Sequence, residues 1–407
     1  MYNNRRFPKI VSTALLIVAV MGMAAPTSAA SAGVKPASSS PASDPYFCQQ
    51  VSPNVGMVNI LNAVASPLIT VSMDPSVWAV GYVSNPNSMR PSANTLAMHF
   101  NGKEWSIVPT PNVAAENYLN GVAVRTSDNV WAVGYSIENG VERPLVMRYT
   151  GAYWKIVQLP LYAATPVLAS GRLNSVAMLG DTGVVAVGSY SYGMAAPMPL
   201  ALYYDGTTWS KMDVPAYGKG GRLYGVTADG PGVWAVGSAD IAASGDLALL
   251  YRYDGKTWTA VAKGTGYLSS VAVTNAGVIA VGDVTGKAGK ETLAMLYNSG
   301  SGSFARVTSY NFDVDHNFLT SIVSQGKDIY AVGYSGVPGN DYEMVPLVLR
   351  YNGKTFSPLS APHVSTVDKL AGVTVSNGNV WAVGSYMKGE FGRNTLVLNS
   401  NCFTSDR

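Results

Sequence analysis

Histidine is almost missing from this 407-residue chain, with three copies, and cysteine is rarer still, with two. The histidines are scattered, and no H-E-x-x-H run, Ser-His-Asp spacing or phosphate-cradling glycine loop occurs, which leaves zinc-protease, triad and nucleotide chemistries without their residues. Charge is thin as well, at 13% of residues. The 27 Lys and Arg face 24 Asp and Glu, and the N-terminal stretch holds Arg5, Arg6 and Lys9 with no acid, so the rest of the chain is balanced. Balance excludes the basic footprint that nucleic acid or anionic lipid requires. The tail after Cys402 has no apolar stop-transfer or sorting segment, and no membrane span is expected. What is plentiful is apolar side chains, at 47%, and glycine, with 42 copies. That mixture suits many short strands joined by tight turns.

The N-terminus reads as a secretory leader. Arg5, Arg6 and Lys9 precede an apolar run from Ile10 to Ala25, and small residues end in Ala30-Ser31-Ala32. That order predicts a signal peptide over 1–32, cleaved between Ala29 and Ala32, and a secreted or extracellular protein with no lipoprotein cysteine near the cut. Residues 33–46, beginning GVKPASSSPASD, are too poor in apolar side chains to bury a core and are expected to be a flexible spacer. From Phe47 to about position 404 the chain is one continuous repeat.

The repeat is marked by Ala-Val-Gly, beginning at Ala79, Ala132, Ala186, Ala235, Ala280, Ala331 and Ala382. Its steps run from 45 residues (280 minus 235) to 54 (186 minus 132), in the range of propeller blades. Seven copies predict an all-β, seven-bladed β-propeller with four antiparallel strands per blade. The second copy is the clearest: strand a over 119–124, strand b over 130–135, strand c over 144–149 and strand d over 154–157, parted by Gly, Asn and Asp turns.

Three regularities carry structural expectations. The third position of strand a is always small (Ala63, Gly121, Ser175, Gly225, Ser270, Ser321, Gly372), as crowding near a propeller axis requires. Trp78, Trp131, Trp234 and Trp381 share one position of strand b, and Trp105, Trp154, Trp209 and Trp258 open strand d; Val185, Ile279, Tyr330, Phe304 and Phe356 fill those positions elsewhere. Such apolar exchange predicts blade-to-blade packing and leaves no Trp for a site. Finally, the seventh copy lacks a strand d, while Phe47 through Val55 matches Trp105 through Val113. The N-terminal strand is expected to complete the last blade and close the ring, with Phe47 in the Trp position. Closure sets Cys48 beside Cys402, so these pair as a disulfide across 354 residues (402 minus 48), worth on the order of 5 kcal/mol in the loop-entropy picture.

The strand b ending in Gly and the later segment Tyr253-Asp254-Gly255-Lys256-Thr257-Trp258 resemble the kelch or galactose-oxidase-like propeller repeat, over Phe47 to Phe403. Kelch repeats carry a Gly pair after strand b; here one Gly is followed by Tyr82, Tyr135, Ser189, Ser238, Asp283, Tyr334 or Ser385. Copper chemistry of the galactose-oxidase kind is not carried over, because both Cys are committed to closure. The Asp254 turn also looks like part of a sialidase Asp-box, but without its leading Ser/Thr and second Gly it reads as turn chemistry.

The a-b and c-d connections read as short and the d-a and b-c connections as long, which puts the long loops on one face, where binding is expected. That face should carry Tyr118, Tyr162, Tyr190, Tyr192, Tyr217, Tyr267, Tyr310, Tyr342 and Tyr386. Its polar groups should be Asn85, Arg90, Glu116, Glu138, Arg143, Arg172, Lys219, Arg222, Asp240, Asp246, Asp283, Glu291, Asp341, Glu343 and Glu390. The 310–317 loop stands out: Asp313, Asp315 and Asn317 have alternating oxygen spacing, but Phe318 replaces the calcium-loop Gly and Ser324 the bidentate Glu, so no resident metal or cofactor is assigned and calcium is an open second choice. His316 beside Asp315, and His363 in the next d-a loop, are candidate neighbours. The expected ligand residues are therefore Tyr310, Asp313, Asp315, His316, Asn317, Tyr342 and Glu343. The first functional reading is a monomeric binding module for a glycan or an extracellular protein. The alternatives are a polysaccharide hydrolase or lyase using acids such as Asp313, Asp315 and Glu343, and a structural cell-surface protein.

Overall fold

The computed structural model describes residues 46–67, 75–85, 92–160, 170–241, 245–287, 289–312, 316–337 and 340–402. The expected leader and most of the expected spacer lie outside these residues, as do Asp313 and Asp315. All of the described chain belongs to one compact unit, Pro45–Arg407.

The chain is all-β, with no α-helix among the described residues. A short N-terminal strand, β1 (Cys48–Gln49), is followed by repeat units of four strands. Unit one comprises β2 (Val58–Ala65), β3 (Val77–Ser84), β4 (Ala93–Phe100) and β5 (Trp105–Ile107). Unit two comprises β6 (Glu116–Thr126), β7 (Asn129–Glu138), β8 (Val141–Tyr149) and β9 (Trp154–Ile156). Unit three is β10 (Ser170–Leu179), β11 (Gly183–Ser191), β12 (Met198–Tyr204) and β13 (Trp209–Met212); unit four is β14 (Arg222–Asp229), β15 (Gly232–Ile241), β16 (Gly245–Tyr253) and β17 (Trp258–Thr265). Unit five is β18 (Tyr267–Thr274), β19 (Gly277–Thr285), β20 (Lys290–Asn298) and β21 (Ser303–Arg306). The two-residue β22 (Thr308–Ser309) precedes unit six, β23 (Asn317–Gln325), β24 (Asp328–Val337), β25 (Asn340–Tyr351) and β26 (Thr355–Leu359). The last unit has β27 (Asp368–Ser376), β28 (Asn379–Lys388) and β29 (Gly392–Asn399).

Within each unit the strands pair antiparallel in chain order. The last, first and second units merge into a mixed twelve-stranded sheet through single parallel bridges, Val58 to Arg393 and Ala93 to Glu116, and β22 adds a parallel edge to β26. β1 supplies the missing outer strand of the last unit, Cys48 opposite Asn399 and Gln49 opposite Leu398. The Pro-Asn-Val that follows repeats its counterpart in detail. Asn54 Oδ1 accepts the Thr395 amide at 2.8 Å, as Asn112 Oδ1 accepts the Thr95 amide at 2.9 Å. Cys48 and Cys402 form the expected disulfide, with Cα atoms 5.7 Å apart.

The core is divided into layers between neighbouring units, each joining a large strand-b side chain of one unit, aromatic in five of the seven, to the strand-d aromatic of the next. Trp78 meets Trp154 edge to face with ring centroids 5.5 Å apart, and Trp131 meets Trp209 in the same way at 5.5 Å. Val185 shares a cluster with Trp258, Trp234 with Phe304, Ile279 with Phe356, and Tyr330 with Phe47, which is fully buried. Trp381 of the last unit packs on Trp105 of the first. All eight Trp are buried in these layers, as the repeat spacing predicts, although edges of Trp131 and Trp209 also line a surface pocket with Arg148 and Tyr204.

Two expectations about connections need correction. The b-c connection of unit two is not a long loop but a two-residue turn, Asn139-Gly140, both at positive φ (52° and 76°) between β7 and β8. Polar residues read as loop continue the ladder instead, because Asn-Gly supplies the type I′ geometry that suits strand twist. Conversely, the a-b connection of unit one spans Ser66 to Ser76 and is not short. The c-d turns behave as expected: Asn101, Asp205, Asp254 and Asn352 each accept two backbone amides across the turn, as in Asp254 Oδ1 from Lys256 and Thr257 at 2.9 and 2.8 Å.

Candidate functional site

The site begins with a β-bulge repeated in all seven units. Pairing of strand a with strand b skips one residue each time, namely Asn62, Asn120, Asn174, Tyr224, Ser269, Thr320 and Ala371. The bulge drives the preceding carbonyl onto strand b, which explains the glycine of Ala-Val-Gly: a Cβ on Gly134 would overlap the Tyr118 carbonyl oxygen, and one on Gly237 that of Arg222. A bulge also re-aims side chains. All seven skipped residues line one central cavity of about 460 Å³.

Most of these cavity residues are tied down. Asn62, Asn120 and Asn174 donate through Nδ2 to the carbonyls of Leu119, Leu173 and Leu223 in the next unit at 2.7–2.9 Å, and the Thr320 hydroxyl donates to Leu370 at 2.9 Å. Tyr224 departs from this series. Its ring lies against Tyr267, centroids 4.4 Å apart, so an aromatic surface stands where the other units place small polar groups.

Two residues before the skipped one, each strand-a residue faces the residue after the strand-b glycine. These pairs are Ile60/Tyr82, Tyr118/Tyr135, Arg172/Ser189, Arg222/Ser238, Tyr267/Asp283, Phe318/Tyr334 and Lys369/Ser385. They form an aromatic and cationic collar beside the cavity. Tyr82 and Tyr118 meet at 4.8 Å, Tyr118 and Tyr135 at 4.9 Å, and Phe318 and Tyr334 at 5.0 Å. Arg172 lies over the Tyr135 ring at 4.6 Å and Lys369 over Tyr334 at 4.6 Å, distances at which the ring quadrupole attracts a cation.

Burial and neighbours set the protonation states. Burial first, then the Tyr224 hydroxyl and the Asp283 carboxylate, push the Tyr267 phenol well up, with Arg222 pulling the other way. Burial and the Glu116 carboxylate, which accepts the Tyr118 hydroxyl at 2.8 Å, do the same to Tyr118. Tyr82, Tyr135 and Tyr334 are also raised, chiefly by burial. The collar therefore presents neutral phenols, which donate hydrogen bonds and make poor bases. Lys369 is lowered by burial and by Arg393. Asp283 is neutralised by Lys290 at 2.7 Å and Arg172 by Glu142 in a two-point contact, whereas Arg222, Lys369 and Arg393 have no carboxylate within ion-pair distance among the described residues.

One pocket opens from this collar, about 520 Å³ in volume. It is walled by Glu142, Arg172, Asn174, Ser189, Tyr190, Arg222, Tyr224 and Tyr267, with Pro197 among its few apolar groups. It shares Asn174 and Tyr224 with the central cavity.

The residues singled out from sequence are distributed differently. Asn317 is fully buried, its Oδ1 accepting from the Phe312 amide at 3.0 Å and the Ser335 hydroxyl at 2.8 Å, and its Nδ2 donating to the Lys290 carbonyl at 3.2 Å. Both lone-pair directions of that oxygen are occupied, so Asn317 pins unit six to unit five and cannot offer a calcium ligand. Asn59 and Asn117 do the same work at the head of their strands. Tyr310 is half-buried, packing on Phe312 at 5.2 Å against an inter-unit core. His316 pairs through its backbone with Lys290 and accepts the Gly336 amide. Tyr342 is exposed, at 87%. Glu343 reaches His363 Nδ1 at 3.7 Å, and His363 Nε2 lies 3.8 Å from Asp368, a buried carboxylate already accepting the Ser365 hydroxyl and the Val364 amide. Among the described residues no three His, Cys, Asp or Glu side chains are placed to share a metal ion.

Sequence reasoning put Tyr118, Arg172, Arg222, Tyr267 and Asp283 on the binding face but missed Tyr82, Tyr135, Tyr224, Tyr334, Lys369 and Arg393. For Tyr82, Tyr135 and Tyr334 the signal was present in the residue after each strand-b glycine, which varies directly after the constant Ala-Val-Gly.

No family model matches the chain, and no curated protein matches it. Solved structures do. YCF48 bound to a D1 peptide aligns at TM-score 0.53 and 11% identity over 89% of this chain and 97% of that one. The polysaccharide lyase Uly1 aligns at TM-score 0.53 and 13% identity over 83% and 89%. At such identities the likeness is one of fold, and the chain has the all-β, propeller-like architecture of these neighbours.

Proposed function

We propose that this chain is a secreted, seven-bladed β-propeller of kelch-like repeat, closed by its own N-terminal strand, which binds a glycan at the collar around its central cavity. The observation that carries the binding site is the concentration of phenols and guanidinium groups at one pocket, Tyr224 and Tyr267 with Arg222, which has no carboxylate partner among the described residues, and Arg172, paired with Glu142, on a scaffold otherwise regular. Closure is supported by two independent joints, β1 on β29 and Trp381 on Trp105, and secretion by the leader and the disulfide. The pocket favours a glycan because its wall is hydroxyls, an amide, guanidinium groups and one carboxylate, Glu142, with an aromatic face for sugar C–H bonds. A neighbour of the same fold is solved with a peptide and another is a polysaccharide lyase, so fold alone does not choose between ligand classes. Raised phenols argue against a tyrosine general base. The test is thermal unfolding of the secreted, oxidised protein across an oligosaccharide library, since a ligand of the folded state raises the melting temperature by mass action. A shift that Tyr224→Ala removes supports the reading; a library with no shift refutes it.

A further inference from the structure

Resting on that glycan reading, we infer that the pocket selects an acidic sugar and that Arg222 is the residue that holds its anionic group. The wall contains two guanidinium groups in unlike states. Arg172 already engages Glu142 through Nε and Nη2, while its plane lies over Tyr135 at 4.6 Å. It is positioned and neutralised. Arg222 is exposed and has no carboxylate partner among the described residues, yet it stands close enough to Tyr267 to act on its phenol. A lone guanidinium on a pocket wall offers a planar fork of N–H donors that matches the two oxygens of a carboxylate or sulfate.

The neighbouring groups complete the subsite. The Tyr224 and Tyr267 rings lie tilted at 39° with centroids 4.4 Å apart and supply aromatic surface for a sugar ring, and the Tyr267 phenol, kept neutral chiefly by burial, can donate to an anion. Lys369, elsewhere on the same collar, and Arg393 of β29, which depresses the Lys369 ammonium, add positive charge without acidic partners among the described residues. A chain whose charge is balanced beyond its N-terminal basic stretch therefore presents local positive potential where the cavity opens, the arrangement that draws an anionic ligand. An acidic peptide shares the charge but not the need for a hydroxyl-lined wall.

Calorimetric titration of the secreted protein with uronic-acid oligosaccharides (galacturonate, mannuronate, guluronate and a hyaluronan tetrasaccharide) and a sulfated galactan oligosaccharide, each beside its carboxyl-reduced or desulfated form, tests this. We expect at least one acidic sugar to bind tenfold or more tightly than its neutral form, with the gap closed by Arg222→Gln, partly restored by Arg222→Lys, and narrowed by raising salt from 50 to 300 mM. Arg222 is exposed, so an unchanged melting temperature accompanies the loss. Equal binding of acidic and neutral forms, or an unaffected Arg222→Gln, overturns the inference and leaves the glycan reading standing. Binding of hexaglutamate but of no sugar overturns both, as does binding of nothing in the set.

Discussion

Trp381 and Trp105, from opposite ends of the repeat array, stand edge to face with ring centroids 5.6 Å apart, and Phe100 fills the angle between them at 4.6 Å from Trp381. This contact is the counterpart of Trp78 on Trp154 and Trp131 on Trp209, so the last unit meets the first as any unit meets its successor. Removing the Trp105 ring should therefore destabilise the whole array, not an end of it. Trp105→Ala is expected to cost about 3–5 kcal/mol in a single cooperative urea transition; a separate early phase would mean that the first and last units unfold on their own.

The disulfide acts on the same joint. Cys48 and Cys402 lie 354 residues apart in sequence, and the Cys48→Ser/Cys402→Ser pair should lower stability by on the order of 5 kcal/mol, read from denaturant midpoints of oxidised and variant protein. The folded variant should keep β1 paired with β29, because Gln50 donates to Val397 and Asn54 accepts from Thr395 independently of the sulfur bridge.

The bulge makes its own prediction. Gly134→Ala drives a methyl into the Tyr118 carbonyl, which backbone pairing holds in place, and should cost on the order of 3 kcal/mol. Gly140→Ala, in an open turn at φ 76°, meets no atom within 4 Å and is expected to cost about 1 kcal/mol from backbone strain alone. Paired melting curves rank the two.

Acid should weaken the c-d turns of units three and four. The Asp205 and Asp254 carboxyls are held below the ordinary Asp range, first by the amides of Thr208 and Thr257 and then by those of Thr207 and Lys256. A folded-state value below the unfolded one contributes stability that is present above the unfolded value and lost as pH falls through the folded one. Stability measured from neutral pH down to pH 2 should show this fall, and Asp254→Asn, which keeps the acceptor without the charge, should flatten it.

Much of this was legible in the sequence because repetition averages out local ambiguity. Seven copies of Ala-Val-Gly fixed the strand order, the Trp positions predicted the inter-unit layers, and the match of Phe47–Val55 to Trp105–Val113 placed β1 and the disulfide. The site was less legible. Asn317 looked like part of an oxygen-rich loop because a buried Asn that caps backbone amides has the same local signature as a cation ligand; only its partners tell them apart. Tyr224 and Lys369 were overlooked because a bulge, invisible in strand periodicity, decides which way their side chains point. Asn139-Gly140 was read as part of a loop because polar residues on extended hairpin strands look like loop composition.

The most direct test of where ligand sits is hydrogen exchange of the amides of β10, β14 and β18 against those of the 310–317 segment, with and without the tightest-binding oligosaccharide of the calorimetric set. Protection concentrated at Arg172, Arg222–Tyr224 and Tyr267, and absent in Arg222→Gln, is the predicted result. Protection confined to 310–317 and Tyr342–Glu343, with the collar unchanged, would contradict the account.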